Sequence, residues 1–514
     1  MRKNSFLTGT LILVAAGLIS RLLGFLYRIY ISNIMGSEGM GLFQLISPVY
    51  FLAYTFCASG IYLAISKLVA AEKANRNDRN MSRILLVGCS MAAISSLLFV
   101  GLLITQADFI AVHFLHDNRT ASSIRIVSLA LPFCVTSSCI KAYFYGIQKM
   151  TVPAIDQVLE QVSRMLVIFF IAPLMVPKGL EAMCKMAVIG TVAGDTVSCL
   201  YASCAYSWER KKNRASAMEG QRKATLALIT SLLAMAIPLT ANRAISQVLS
   251  SFENIMIPSA LKRYGLDASQ SLSLFGEFSG MAMPIITFPS LLTSALSMNL
   301  LPMVAQAQAV SNNHRIQSAI SKSLRFTFLI AFLFTALFAT LGRPLGLFLY
   351  HQPTVGNLLF ILSFLCPFLY LQSTLGGLLN GLGLHNYSFL HNLISDALRI
   401  LILLYFVPQY GFNAFIAGMF LSSILASILN LRKLLSTANM RLSFNQIFFK
   451  PLLAAAASIL VSVFLGSHLI YPHFSLPVSI LLLGLVCSLL YFLGVLGTSA
   501  LSKNDMQEIK KMIH

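Results

Sequence analysis

Two arginines lie within the first apolar stretch of the chain. Arg21 and Arg28 are seven residues apart, with Gly24 and Phe25 between them. Positions i, i+3, i+4 and i+7 share one face of an α-helix, so the spacing predicts both guanidinium groups on the same side of a helix. Guanidinium groups bind phosphate oxygens in a bidentate geometry. The pattern therefore predicts a cationic surface that holds a diphosphate.

A second interpretation of these arginines stays open. Arg28 could extend toward lipid headgroups, and Arg21 could pair with a buried carboxylate. The cost of burying a charge in a membrane favours a cavity or a partner for each of them. Arg243 follows Ala241 and Asn242 much as Arg21 follows Ile19 and Ser20. We therefore expect Arg243 to repeat the role of Arg21 in a second half of the chain.

A later apolar stretch carries a second polar face. Asp156, Glu160 and Arg164 recur at intervals of four residues, with Gln157 and Gln161 beside them. One interpretation is a cavity lining in which a carboxylate binds a proton or a cation. The other is an internal ion pair between Glu160 and Arg164 that only holds helices together. The sequence leaves both open.

Other charges fall within apolar stretches. Glu277 is a further candidate for a coupling or cavity-lining residue, and Glu253 and Asp195 are also at membrane depth. Asp396 and Arg399 are three residues apart, which predicts that they pair with each other.

The chain has no motif for covalent or metal chemistry. It contains no Walker motif, no nucleophile elbow and no metal-ligand set, and its nine cysteines form no CxxC pair. We therefore predict no catalytic residue, no metal and no cofactor. The formal net charge of +20 is assigned to loops that face anionic lipid rather than to nucleic-acid binding, because no nucleic-acid-binding motif is present.

The elements that must position these residues are membrane-spanning helices. Hydrophobic residues make up 57% of the 514 residues and charged residues 11%, whereas soluble domains carry roughly 25% charged residues. Since only helices and closed barrels satisfy their backbone within lipid, the sequence predicts an all-α integral membrane protein. We count fourteen spans: 7–31, 42–69, 84–105, 121–147, 154–176, 182–206, 225–249, 274–299, 322–341, 355–381, 388–407, 412–431, 447–467 and 476–500.

Basic residues predict the orientation. With a cytoplasmic N-terminus, 24 Lys and Arg fall on inner segments and six on outer segments, the latter being Arg119, Lys178, Lys185, Lys262, Arg263 and Arg343. The bias predicts that both termini are cytoplasmic.

The longest polar break predicts how the chain is divided. Residues 208–224 are rich in charge and read as a cytoplasmic linker between a six-helix lobe at 1–207 and a second at 225–433, with two additional helices and a tail at 434–514. Parallel repeats of this kind bind substrate between the halves.

Several of these motifs resemble a known group of proteins. They are Phe6-Leu7 with Gly9 to Leu13, Ser20-Arg21 with Gly24-Phe25 and Arg28, Tyr143 to Gly146 with Gln148 and Met150, Pro153-Ala154, and Gln157-Val158 with Glu160-Gln161 and Arg164. Together they resemble the stage V sporulation protein B group of polysaccharide exporters, over nearly the whole chain.

The resemblance implies the multidrug, oligosaccharidyl-lipid and polysaccharide exporter superfamily, whose members alternate between inward- and outward-open states around a central cavity. In the related lipid II flippases, cavity arginines hold the substrate diphosphate. Arg21 matches the first of these, and Arg28 matches the second after a shift of one residue. The flippases carry a further Arg and Glu near residues 283–290, where this sequence has neither. This difference argues against lipid II itself as the substrate more than against lipid-linked sugars in general.

These observations predict a transporter rather than an enzyme. We expect a flippase in the cell membrane that carries a lipid-linked peptidoglycan precursor, with a role in spore cortex synthesis, and with Arg21, Arg28, Arg243 and Arg164 as substrate-binding residues. The expected partners are the lipid-linked sugar, membrane lipids and cell-wall synthesis enzymes. The alternatives are an ion-coupled multidrug exporter and a membrane glycan polymerase or ligase, although the latter usually needs a large external loop.

Overall fold

The computed structural model describes residues 2–75, 77–212, 224–310, 312–440 and 442–498. Helices account for most of these ranges, and no strand occurs within them. The predicted all-α membrane fold is therefore confirmed. Most of the predicted linker at 208–224 lies outside the described residues, which resume at residue 224.

Contacts divide the chain into two compact units, residues 1–276 and residues 277–514. The described residues of the first unit form ten α-helices: α1 Arg2–Tyr54, α2 Gly60–Ala74, α3 Asp78–Thr105, α4 Ala107–Phe109, α5 Ala121–Ser128, α6 Leu131–Gly146, α7 Thr151–Met175, α8 Leu180–Lys212, α9 Thr225–Tyr264 and α10 Ala268–Phe275. Shorter π turns at Thr55–Ser59 and Ile110–Phe114, and 3₁₀ turns at Asn118–Thr120 and Val176–Lys178, connect some of them.

The second unit is also helical. After a π segment at Gly276–Ala282, which begins at the last residue of the first unit, its helices are α11 Met283–Thr287, α12 Ser290–Ala309, α13 Asn313–Tyr350, α14 Pro353–Ser363, α15 Cys366–Gly381, α16 His385–Tyr405, α17 Val407–Tyr410, α18 Phe412–Ala438, α19 Lys450–Leu465 and α20 Leu476–Gly497. This division follows packing, whereas the sequence predicts a division at its longest polar break. The boundaries predicted from that break remain a prediction.

Within the described ranges, ten helices are long and apolar enough to cross a membrane, and three bent helix pairs raise the number to thirteen. The first candidate, Ile12–Ala74, extends over 63 residues and covers two predicted spans. Each of the fourteen predicted spans therefore has a helical counterpart.

A single glycine separates those first two spans. Gly36 has φ +68° and ψ −177°, which breaks the helical path inside α1. An L-residue with a side chain rarely adopts this φ, whereas glycine does so without steric cost. Because the break follows Arg28, Arg21 and Arg28 lie on the same segment of α1, before Gly36.

Small residues bring α7 and α8 into close contact. A Cβ atom on Gly190 would lie 2.3 Å from Cδ1 of Ile168, and one on Gly194 would lie 3.1 Å from the carbonyl oxygen of Glu160. Glycine therefore permits a separation that a larger residue would prevent. This packing places Asp195, the next residue on α8, against the polar face of α7.

The last two helices pack onto the second unit. A buried cluster joins Leu324 of α13, Leu375 of α15, Leu434 of α18, Ala454 of α19 and Tyr491 of α20. The Tyr491 hydroxyl also donates a hydrogen bond to the carbonyl oxygen of Leu329, at 2.9 Å. The C-terminal pair is thus part of the core of this unit.

Candidate functional site

The predicted arginine face of α1 lies next to α7. The Ser20 hydroxyl donates to the carbonyl oxygen of Gln157 at 3.2 Å, and a Cβ atom on Gly24 would lie 3.7 Å from the amide nitrogen of Gln161. Arg21 is exposed, and among the described residues it has no hydrogen-bond or ion-pair partner. The alternative in which Arg21 pairs with a buried carboxylate is therefore not observed in this part of the chain.

Arg28 lies close to the polar face of α7. Its side chain is half-buried, and the buried Tyr27 beside it interacts electrostatically with both Arg28 and Arg164. Arg28 and Arg164 come from two separate stretches of the sequence, and both were predicted to bind substrate. The fold brings them to the same part of the first unit.

The polar face of α7 contains a buried ion pair with α6. Lys141 Nζ lies 2.8 Å from Asp156 Oδ2, and the Asp156 side chain is fully buried. The Ser198 hydroxyl of α8 donates to the same carboxylate oxygen at 2.9 Å. The Ser137 and Ser198 hydroxyls are hydrogen-bonded to each other at 2.6 Å. Asp156 is thus held by groups from two neighbouring helices.

The next turns of α7 continue the network. Arg164 NH2 lies 3.1 Å from Glu160 Oε1 and 4.0 Å from Asp195 Oδ1. Lys141 Nζ is 3.9 Å from the other Glu160 oxygen, Oε2. The Tyr50 hydroxyl of α1 donates to Asp195 Oδ2 at 2.6 Å. The ion pair between Glu160 and Arg164 that the sequence suggested is therefore observed.

We call Lys141, Asp156, Glu160, Arg164 and Asp195 the charged cluster. It contains three carboxylates and two cations, so it carries one unbalanced negative charge when every group is ionised. An unbalanced charge away from water is costly. The arrangement is therefore suited to taking up one proton or one small cation, in addition to holding α6, α7 and α8 together.

Arg243 lies on α9 of the first unit. Its side chain is exposed, and Tyr62 of α2 interacts electrostatically with both Arg243 and Lys141. The ring of Tyr62 also contacts that of Tyr145 edge-on, with centroids 6.2 Å apart. Tyr62 therefore interacts with both Arg243 and a member of the charged cluster, although 102 residues separate Arg243 from Lys141 in the sequence.

Glu277 is in the second unit and is described separately. Glu277 is 7% exposed. It lies in the π segment Gly276–Ala282, a type of helix distortion that is frequent at functional sites.

The sequence did not identify three members of this network. Lys141 is a lone lysine inside the apolar stretch 131–146, and this position is the signal that could identify it. Asp195 was noted only as a charge at membrane depth. Tyr50 carries no sequence signal, because tyrosine is common in membrane helices.

Comparisons with known proteins agree with this architecture. Residues 6–308, more than half of the chain, match the family described as polysaccharide biosynthesis protein. Stage V sporulation protein B of Bacillus subtilis (strain 168) is 29% identical over 439 residues, which is 83% of each protein. Lipid II flippase MurJ of the same organism is 24% identical over 378 residues, covering 68% of this chain and 65% of that protein.

Solved structures share the fold. Lipid II flippase MurJ in an inward closed conformation matches with a TM-score of 0.65 and 15% identity, covering 94% of this chain and 98% of that one. An inward-facing multidrug resistance MATE family transporter of the MOP superfamily matches with a TM-score of 0.64 and 13% identity, covering 82% and 95%. The resemblance inferred from the sequence motifs is thereby confirmed. The chain belongs to the polysaccharide biosynthesis protein family.

Proposed function

We propose that this protein is a flippase that carries a lipid-linked oligosaccharide, an undecaprenyl-diphosphate-linked peptidoglycan precursor, across the cell membrane by alternating access, for spore cortex synthesis. The observation that carries the proposal is Arg21: an exposed guanidinium within a membrane-spanning helix, with no ion-pair partner among the described residues. The names of the relatives, a sporulation protein and a lipid II flippase, support the substrate class.

The cations of the first unit divide into two groups under this proposal. Lys141 and Arg164 are neutralised by carboxylates of the charged cluster. Arg21 and Arg243 are exposed, and they are assigned with Arg28 to the substrate diphosphate. Arg164 is assigned a supporting role in substrate binding, because its contacts with Glu160 and Asp195 fix its position within the charged cluster. A diphosphate needs several charge-assisted hydrogen bonds, each worth roughly 1.5–3 kcal/mol.

The charged cluster is assigned to energy coupling. Its excess carboxylate takes up a proton or a small cation in one state of the cycle and releases it in the other. Asp195 is the acid best placed for this role, because it shares Arg164 with Glu160 and lies 4.0 Å from that guanidinium. Asp156 is already held by Lys141 at 2.8 Å. Glu277 is a second candidate for a coupling carboxylate, in the second unit.

The proposed orientation places both ends of the sequence in the cytoplasm, because basic residues concentrate on one set of segments. Cell-wall synthesis enzymes that make or consume the lipid-linked sugar are the proposed partners. No covalent step is assigned to the protein itself.

The test uses vesicles that contain the purified protein, with an imposed membrane potential or pH gradient. It measures the movement of a fluorescent undecaprenyl-diphosphate-linked sugar from one leaflet of the vesicle membrane to the other. We expect the wild type to move the lipid, Arg21→Ala to lower the rate at least tenfold, and Arg21→Lys to retain part of it. Lysine keeps the charge but loses bidentate geometry. Arg263→Ala, at the end of α9, is the matched control and should transport normally.

Failure of the wild type to move the lipid at either polarity, in protein that elutes as a folded species, would reject the flippase proposal. Transport of a cationic dye instead of the lipid would favour an ion-coupled multidrug exporter. Normal transport by Arg21→Ala would leave the flippase but remove Arg21 from the diphosphate site.

A further inference from the structure

A surface groove of about 670 Å³ lies in the second unit at the end of α18. One wall is a face of α18, and the other is the turn that leads toward α19. Its apolar lining includes Ile428, Leu431, Leu435 and Phe444. Ile428 is 56% exposed and Phe444 is 48% exposed, so the apolar surface is accessible from outside the protein.

The groove has a polar end as well. Arg432, Ser436 and Asn439 line it together with Met440. Positions 428, 432, 435 and 439 recur at helical spacing, so the apolar and polar groups follow one another along a single face of α18. Asn439 adopts the left-handed conformation that ends the helix, which places the polar groups at its last turns.

Helix length places this polar end at the membrane surface. The 27 residues of α18 extend about 40 Å at 1.5 Å per residue, whereas the hydrocarbon core of a bilayer is roughly 30 Å thick. Since the predicted span ends at residue 431, the terminal turns extend to the depth of lipid headgroups, and the preceding turns lie at the depth of acyl chains. On the orientation proposed above, this end faces the cytoplasmic leaflet.

Two adjacent basic residues differ in their surroundings. Lys433 Nζ lies 3.8 Å from the centre of the Tyr387 ring, in a cation–π contact. Arg432 is exposed and lines the groove, and among the described residues no carboxylate pairs with it. Of these two basic residues, Arg432 is therefore the one that is available to an external anion.

We propose that this groove is a binding site for an anionic glycerophospholipid. The lipid phosphate pairs with Arg432, while the Ser436 hydroxyl and the Asn439 amide donate hydrogen bonds to headgroup oxygens. One acyl chain lies along Leu431 and Ile428, the groove residues that lie nearer the bilayer centre than Arg432. The occupant is a bilayer phospholipid rather than the transported lipid, because the diphosphate of the latter is assigned to several arginines of the first unit.

A tryptophan placed in the groove can report the lipid directly. We would make Phe444→Trp in a Trp208→Phe background, since Trp208 is the only native tryptophan, and reconstitute it in vesicles of phosphatidylcholine. Brominated phosphatidylglycerol, introduced at 10% of the lipid, quenches a tryptophan that it contacts. We expect at least twofold stronger quenching than with the same amount of brominated phosphatidylcholine, and loss of that difference in Arg432→Gln.

The matched control is a tryptophan on a lipid-facing site outside the groove. Leu453, 63% exposed in the first turns of α19, is suitable, and Leu453→Trp should be quenched equally by both lipids. Ile428→Trp is a second probe within the groove if Phe444→Trp does not elute as a folded protein. Equal quenching at both groove positions, or a preference that survives Arg432→Gln, would overturn the proposal. Because the quenching measurement does not depend on transport, its outcome is independent of the flippase test.

Discussion

Lys141 of α6 and Asp156 of α7 form an ion pair, 2.8 Å between Nζ and Oδ2, at a carboxylate that is fully buried. The sequence identified Asp156 as a candidate for coupling or cavity lining, but it did not identify its partner. Its Oδ2 has a close cation and a hydroxyl donor, whereas its buried Oδ1 has no hydrogen-bond partner among the described residues. This pairing shifts the coupling role toward the acids at the other end of the charged cluster.

Removing only one partner of this ion pair should be strongly destabilising. We expect Lys141→Met to cost about 3–5 kcal/mol, because it leaves Asp156 buried without a cation. The double variant Lys141→Met with Asp156→Asn should recover a large part of that loss. The measurement is the thermal unfolding temperature of each purified variant in detergent, compared as a double-mutant cycle. Additive effects of the two substitutions would contradict the pairing.

Asp195→Asn tests which acid carries the excess charge. The substitution removes one of three carboxylates and balances the two cations, so we expect transport to lose its response to an imposed pH gradient while the protein remains folded. The measurement is the initial transport rate in vesicles with and without the gradient. Asp396→Asn is the control, because Asp396 is an acid of α16 already paired with Arg399 at 3.1 Å. An unchanged gradient response in Asp195→Asn would remove Asp195 from the coupling proposal.

Arg243→Ala should lower transport without lowering stability. Its exposed guanidinium is assigned to the diphosphate, and loss of one charge-assisted hydrogen bond of roughly 1.5–3 kcal/mol corresponds to about a tenfold to hundredfold slower rate. Arg263→Ala on the same helix is the control. The two variants are compared by transport rate and by unfolding temperature. Equal rates for both variants would show that Arg243 does not contact the substrate.

Gly60 is predicted to be intolerant of a side chain. A Cβ atom there would lie 2.2 Å from the carbonyl oxygen of Ala236 and 2.1 Å from Thr240 Oγ1 on α9. Gly60→Ala should therefore separate α2 from α9 and lower the unfolding temperature. Gly101→Ala is the matched control, because no atom lies within 4 Å of its Cβ position, and alanine favours a helix by about 1 kcal/mol. Equal unfolding temperatures would show that α2 and α9 are not in close contact.

The proposed orientation can be tested by labelling introduced cysteines in whole cells. Arg210→Cys, near the end of α8, should react with a membrane-impermeant maleimide only after permeabilisation, and Lys262→Cys, near the end of α9, should react without it. Cys204, the exposed native cysteine, is replaced with serine to lower the background. The reverse pattern of labelling would place the two termini outside the cell.

The sequence by itself determined the fold class and the fourteen predicted spans. Helix formation within lipid depends on local hydrogen bonding, and the transfer of about 20 apolar residues into a bilayer depends on composition. Both are readable along the chain. The shared face of Arg21 and Arg28 is equally local, since helical geometry fixes it. The pair between Asp396 and Arg399, at 3.1 Å, was predicted for the same reason.

Only the tertiary structure decided which charges meet. Tyr50 and Asp195 are 145 residues apart and hydrogen-bond at 2.6 Å, and Lys141 reaches Asp156 from a different helix. Such contacts depend on how each helix is rotated and how closely it approaches its neighbours. At the junction of α7 and α8, that approach is set by Gly190 and Gly194. A periodic pattern identifies which face of a helix is polar, but packing against other helices determines which partner that face meets.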